Sequence, residues 1–305
     1  MIIGNNAYRE NNLYGKGIFS KKEKSMGCGK EFQIGARIHD LLQDSHSDMS
    51  AALADASVKC VQLTLPKFVR WSESPQNYSF EKIQKIQADF EKANVDISVL
   101  SCYINPLAEN VKKEQDTFCR FIDYAAAMGV KIVGTETGSV VSDLREYQAN
   151  YTEENFTKLI EVLKPMVAYA MERRVTVGIE SVAYYPVYDE KTFARLKNAF
   201  PKGSICCIFD PTNLLHIGNY QNQREIFENF VRVHAGDIRV VHLKDFAVVN
   251  GWLEERPLFE GELDVRFVIE LLKKYQVSAD LIVENARDVE NYKHIRNQLE
   301  TIIGG

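Results

Sequence analysis

Eight short apolar runs recur along this chain with helix-patterned stretches between them and no break in composition. The runs are "QIGARIHD", "KCVQLTLP", "DISVLSCYI", "KIVGTETG", "TVGIES", "ICCIFDP", "RVVHLKD" and "ADLIVENA". They are rich in β-branched residues and apolar on both faces toward their starts, the pattern of parallel strands covered on both sides. The clearest helix spans about Glu153 to Arg174, with Phe156, Leu159, Ile160, Leu163, Val167 and Ala170 on one face. Pro165 falls inside it and predicts a kink or a local break. A further helix begins near Asp264, carrying Phe267, Val268, Leu271 and Leu272 as its stripe. The last sets Val289, Tyr292, Ile295, Leu299 and Ile302 three and four residues apart. Strict alternation of this kind predicts a single α/β domain, a (β/α)₈ TIM barrel over residues 33–305. An open doubly wound sheet would require a glycine-rich phosphate loop after its first strand, and "ARIHDLLQDS" has no glycine there.

The 305 residues suffice for one such barrel, and 45% hydrophobic with 26% charged residues is ordinary for a globular protein. No apolar run is long enough to span a membrane. A net charge of −5 argues against nucleic acid as a partner, because phosphate binding needs a basic surface. Cys28, Cys60, Cys102, Cys119, Cys206 and Cys207 lack CxxC spacing and read as buried or half-buried thiols, consistent with a cytoplasmic location. Residues 1–32 are polar, rich in Asn, Gly and Lys, and aperiodic, so they are expected to form an N-terminal arm, with Met26 as an alternative start.

Four candidate ligands end four successive strands: Glu180 in "TVGIES", Asp210 in "CCIFDPTN", His242 in "RVVHLKD" and Glu284 in "LIVENA". Each alone has an ordinary structural reading: a hydrogen-bond acceptor, a turn or cap residue before Pro211, a satisfied core histidine. Together they share one offset in four consecutive repeats, and carboxylates at the ends of buried strands are costly unless something pairs with them. Convergence on one divalent ion in the barrel mouth accounts for all four. Three carboxylates and an imidazole suit Mn²⁺, Mg²⁺, Co²⁺ or Zn²⁺.

The motifs "VGIE", "FDPTNLL", "VHLKD", "GELD" and "IVEN", in this order, resemble the sugar isomerase/epimerase superfamily with the xylose-isomerase-like barrel. The resemblance covers about Gln33 to the C-terminus and is strongest after Glu180. It implies that Glu180, Asp210, His242 and Glu284 are the metal ligands and that Glu180 and Glu284 are also the acid/base pair. It implies isomerisation or epimerisation of a small sugar or polyol carbonyl compound by proton transfer through a metal-stabilised enediolate. Loss of a β-hydroxyl from the same intermediate would make the enzyme a dehydratase of a keto-sugar or keto-cyclitol. A non-catalytic sugar-binding barrel is a third reading, and the retention of both glutamates speaks against it.

Departures from the family narrow the choice. Asn213 stands three residues after Asp210, where some epimerases and the related endonucleases place a histidine, which argues against a multi-zinc site; His216 lies six positions after Asp210 and is not assumed to replace it. Val182 stands where hydride-shift xylose isomerases place a lysine, so proton transfer is favoured. Asn213, Lys244, Glu136 and His39 are candidate substrate contacts, each with a structural role as its rival: a salt bridge of Lys244 to Asp245 or Glu262, a cap for Glu136, a core site for His39. Tyr184, Tyr185 and Trp252 are expected on mouth-side loops, where flat rings can stack on a sugar. No glycine-rich cradle or arginine cluster is evident, which points to an unphosphorylated substrate, and a homo-oligomer is compatible with the sequence.

Overall fold

The structure, a computed structural model, describes residues 32–42, 49–69 and 73–305. The expected N-terminal arm, apart from Phe32, lies outside the described residues, as do Met26 and Cys28. In chain order the strands are β1 (Gln33–Arg37), β2 (Cys60–Leu63), β3 (Asp96–Ser101), β4 (Ile132–Thr135), β5 (Thr176–Glu180), β6 (Ile205–Phe209), β7 (Ile238–Leu243), β8 (Asp245–Val249), β9 (Trp252–Arg256) and β10 (Asp280–Val283). All except β8 and β9 are parallel and close a barrel, with β10 pairing with both β7 and β1. These are the eight runs marked in the sequence. The pair β8 and β9, an antiparallel hairpin, was not anticipated.

The helices are α1 (Ile38–Leu41), α2 (Met49–Asp55), α3 (Leu65–Phe68), α4 (Phe80–Ala93), α5 (Val111–Met128), α6 (Glu153–Glu172), α7 (Glu190–Asn198), α8 (Gln223–His234), α9 (Val265–Lys274) and α10 (Val289–Gly304). Local chemistry sets their ends. Ser79, Asn110, Thr152, Asp264 and Asp288 each accept a backbone N–H of the first turn, and Asp189 forms a capping box with Thr192. Asn94 and Gly129 close α4 and α5 in the left-handed region, at φ 56° and 70°. Of the kink or local break expected at Pro165, the break is absent: α6 runs unbroken through it. Leu159, Leu163, Met166 and Val167 are buried on both sides of the proline, so packing outweighs one lost backbone hydrogen bond.

Inside the barrel a small second core of Cys60, Val99, Ile208, Val240 and Ile282, flanked by Ile132, fills the lumen beneath the mouth. Glycines make room for it. A Cβ on Gly35 would lie 2.1 Å from the Cys60 carbonyl oxygen, which neighbouring β2 cannot withdraw without giving up its register. Gly35→Ala is therefore expected to cost about 3 kcal/mol, whereas Gly236→Ala, with nothing within reach, should stay within about 0.5 kcal/mol. Urea unfolding of the two variants, with equal midpoints as the contrary result, tests this account of the lumen.

Candidate active site

Strand periodicity carries the lumen layer up into the mouth. Side chains two apart on a strand share a face, so Gly35 leads to Arg37, Gly178 to Glu180, Ile208 to Asp210, Val240 to His242 and then Lys244, and Ile282 to Glu284. The resulting pocket of about 580 Å³ is lined by Arg37, Tyr103, Glu136, Glu180, Lys244 and Glu284, with Lys67, Asn213, Tyr184, Tyr185 and Glu255 among the surrounding residues.

At its base, ligand atoms of Glu180, Asp210 and His242 lie within 4.8 Å of one another. Glu284 stands beside this trio: its Oε1 is 3.4 Å from His242 Nδ1, and Glu180 Oε2 is 3.3 Å from the same nitrogen. The other oxygen of Glu284 is engaged by Lys244 and Arg37, each at 3.3 Å. All four candidate ligands are buried. Both ring nitrogens of His242 and Oδ2 of Asp210 nonetheless lack a hydrogen-bond partner among the described residues. Lys244 Nζ lies 2.8 Å from that Asp210 oxygen, as an ion pair without hydrogen-bond alignment. Orphaned oxygen and imidazole atoms, clustered and shielded from water, suit a divalent cation of hard to borderline character, and no thiol belongs to the group.

The charges act strongly on one another. Burial alone would lower the His242 pKa, but the charges of Glu284 and Glu180 hold it up at about 9. Burial likewise opposes ionisation of Glu284, yet Lys244, His242 and Arg37 together keep its carboxyl below the usual carboxylate range. Burial and the charge of Glu180 push Glu136 up to about 8.

Of the substrate-contact candidates, Asn213, Lys244 and Glu136 line the pocket. Asn213 donates its side-chain amide to Glu180 Oε1 at 2.5 Å, while its backbone N–H donates to Asp210 Oδ1 at 3.0 Å. Lys244 pairs with Asp210, Glu284 and Glu255, and neither Asp245 nor Glu262 is its partner. Asp245 instead accepts the backbone N–H groups of Phe246 and Leu263, both at 2.8 Å. His39 is not among the lining residues; it lies in α1, 3.9 Å from Asp40, and the lining takes Arg37 instead. The strand ends at Arg37, so the two-residue periodicity of β1 does not reach His39. Tyr184 and Tyr185 reach the pocket, whereas Trp252 sits in β9, 38% exposed and outside the lining. His216 belongs to a neighbouring cavity beside Tyr147.

Arg37, Tyr103 and Glu255 were missed. Arg37 and Tyr103 obey the same periodicity as the acids and could have been read from it, Tyr103 standing two beyond Ser101 on β3. The Tyr103 hydroxyl accepts a hydrogen bond from Gln62 at 2.8 Å, which leaves its own proton for another acceptor. Glu255 arrives on the unforeseen hairpin. A Cβ on Gly261 would meet the Phe246 carbonyl oxygen at 2.1 Å, so the hairpin's base needs glycine there.

A family model described as the xylose isomerase-like TIM barrel matches residues 50–302. Among solved structures, a D-tagatose 3-epimerase-like protein aligns with a TM-score of 0.71 at 16% identity, over 90% of this chain and 97% of that one. A mannonate dehydratase from Streptococcus suis serotype 2 aligns with a TM-score of 0.67 at 12% identity, covering 90% and 95%. A xylose isomerase-like barrel protein from Mycobacterium smegmatis in complex with magnesium gives 0.62 at 13% identity, covering 89% and 96%. At these identities the likeness is one of fold. The sequence matches no curated protein.

Proposed function

The chain belongs to the xylose isomerase-like TIM barrel family, and from that premise we propose that it is a divalent-metal-dependent isomerase or epimerase of a small sugar or polyol carbonyl compound. The observation that carries the reading is the opposed pair of carboxylates. Glu180 from β5, two strands to one side of β7, and Glu284 at the end of β10, the neighbouring strand on the other side, approach one nitrogen of the β7 imidazole, at 3.3 and 3.4 Å. Glu180, Asp210 and His242 would hold the ion, with Glu284 as the fourth ligand. A bound divalent ion would supply Lewis acidity toward a carbonyl and its neighbouring hydroxyl, making the C–H between them acidic.

The chain's own residues do the rest. One glutamate oxygen takes the carbon-bound proton and the opposed glutamate delivers a proton to the other face, inverting that centre. Delivery to the adjacent carbon instead, with the hydroxyl proton passing to the former carbonyl oxygen, interconverts ketose and aldose. Asn213 orients Glu180 through the bond to Oε1, Tyr103 offers its proton to a substrate oxygen, and Lys244 places a buried positive charge beside the developing negative one.

One observation favours a second reading, a dehydratase of a keto-sugar or keto-cyclitol. Glu136 is hydrogen-bonded to Tyr185, and burial with the charge of Glu180 pushes its pKa up to about 8, the direction that favours an acid able to protonate a departing hydroxyl. A dehydratase among the relatives of this fold agrees with it.

The test begins with metal stoichiometry by mass spectrometry on protein purified without chelator and then offered Mn²⁺, Co²⁺ or Zn²⁺. About one ion per chain is expected. Incubation with ketopentoses, ketohexoses and keto-cyclitols in D₂O then separates the two chemistries: isomers gain deuterium and keep the carbon skeleton's oxygens, while dehydration removes one water. EDTA should stop the exchange and readdition of the ion should restore it; exchange that persists after the ion is gone overturns the metal-dependent reading.

A further inference from the structure

Lys244 is a buried ammonium with three carboxylate partners among the described residues, and they are not equivalent. Asp210 Oδ2 at 2.8 Å and Glu284 Oε2 at 3.3 Å belong to the proposed metal ligands. Glu255 Oε1 at 3.2 Å does not: it comes from β9 of the hairpin. Lys244 and a divalent ion therefore draw on the same two carboxylates, and Glu255 is the only one of the three partners that the ion does not need.

Glu255 is held for this contact on both oxygens. Oε1 faces Lys244, and Oε2 accepts the side-chain amide of Asn285 at 2.9 Å. Asn285 is in turn fixed at the end of β10: its backbone N–H donates to Asp40 Oδ2 at 2.7 Å, and its side-chain oxygen accepts from the Arg37 guanidinium. The hairpin register sets the direction. Glu255 lies opposite Phe246 in the antiparallel ladder, and directly opposed residues project from the same face. Phe246 is fully buried and lines the pocket, so Glu255 is turned the same way. Its side chain stays 52% exposed, so burial of apolar surface does not explain its place; the ammonium and the amide do.

We propose that Glu255 is a positioning residue of this site, giving the Lys244 ammonium a carboxylate partner outside the ligand set so that it can yield Asp210 and Glu284 to the divalent ion. The proposal rests on the metal-dependent reading above. Without Glu255, the charge of Lys244 is met, among the described residues, only by ligand oxygens, and the ion must displace it from them.

The test is a double-mutant cycle on the full chain, read as Mn²⁺ affinity by equilibrium dialysis rather than as activity. Glu255→Gln should weaken binding by about 10–100-fold, the range typical of groups that orient metal ligands. Glu255→Asp should weaken it too, because the shortened side chain keeps the charge but loses reach; a role through charge alone would leave Glu255→Asp at the wild-type affinity. Lys244→Met should tighten binding by about tenfold through removal of the competing cation. In the Lys244→Met background, Glu255→Gln should change affinity by less than about twofold. Should Lys244→Met fail to fold, Lys244→Gln serves the same cycle. A Glu255→Gln penalty that persists undiminished without Lys244, or is absent with it, overturns the positioning role while leaving the metal site standing. A wild-type chain that binds no divalent ion overturns both.

Discussion

Glu180→Gln is expected to slow solvent-deuterium exchange beside the substrate carbonyl by about 10²–10⁴-fold, even with metal in excess. The substitution is isosteric, so the effect isolates chemistry from packing. Glu180 Oε1 accepts from Asn213 and Oε2 faces His242 Nδ1; glutamine keeps an oxygen for the first contact, but its amide neither takes nor returns a proton at pH 7. The variant also loses a metal ligand, which is why the ion is resupplied: saturation restores the ion without restoring the base. Stability should change little, because removing one of three buried carboxylates relieves repulsion with Asp210 and Glu284 as it removes attraction to His242. Exchange measured by mass spectrometry at saturating Mn²⁺ decides the matter. Undiminished exchange removes Glu180 from the proton transfer and leaves it a ligand only.

The barrel was legible because its signal is redundant. Eight strands repeat one pattern, and the four acidic or imidazole ends repeat one offset within it. The same arithmetic extends to Arg37 and Tyr103, whose side chains share the face of the lumen residues below them, but an arginine and a tyrosine at strand ends carry less surprise than a buried acid. It does not extend to His39, because periodicity holds only while the backbone stays extended, and α1 begins at Ile38. The hairpin was opaque for another reason. Its strand β9, "WLEER", alternates poorly and is largely exposed, so no apolar pattern marks it; it is held by its register with β8, by Asp245 at its base and by the close approach of Gly261. Glu255 is consequently a site residue whose placement depends on contacts distant in sequence, with Lys244 and Asn285, and no local spacing announces it. Pro165 shows the converse: the helix break that the residue favours locally is overridden by the tertiary packing of α6.

Asp210→Asn should lower divalent-ion affinity by at least about 100-fold while the barrel stays folded. The two halves of that expectation have separate causes. Asp210 follows β6 and uses its oxygens differently. Oδ1 accepts the backbone N–H of Asn213 at 3.0 Å and so shapes the turn after the strand; asparagine retains a carbonyl oxygen for that bond. Oδ2 belongs to the buried cluster with Glu180 and His242, has no hydrogen bond of its own and meets Lys244 at 2.8 Å; there asparagine presents an amide NH₂, which is no ligand and repels both the ion and the ammonium. Taking one partner from a buried ion pair ordinarily costs about 3–5 kcal/mol, but Lys244 keeps Glu284 and Glu255, so the loss of stability should fall well below that range. Equilibrium dialysis with Mn²⁺ and thermal unfolding of the same preparation test the two halves together. Wild-type affinity would take Asp210 out of the ligand set. Collapse of the fold would mean that its carboxylate serves the barrel before it serves the ion, since the turn, Lys244 and the metal would then all depend on one side chain.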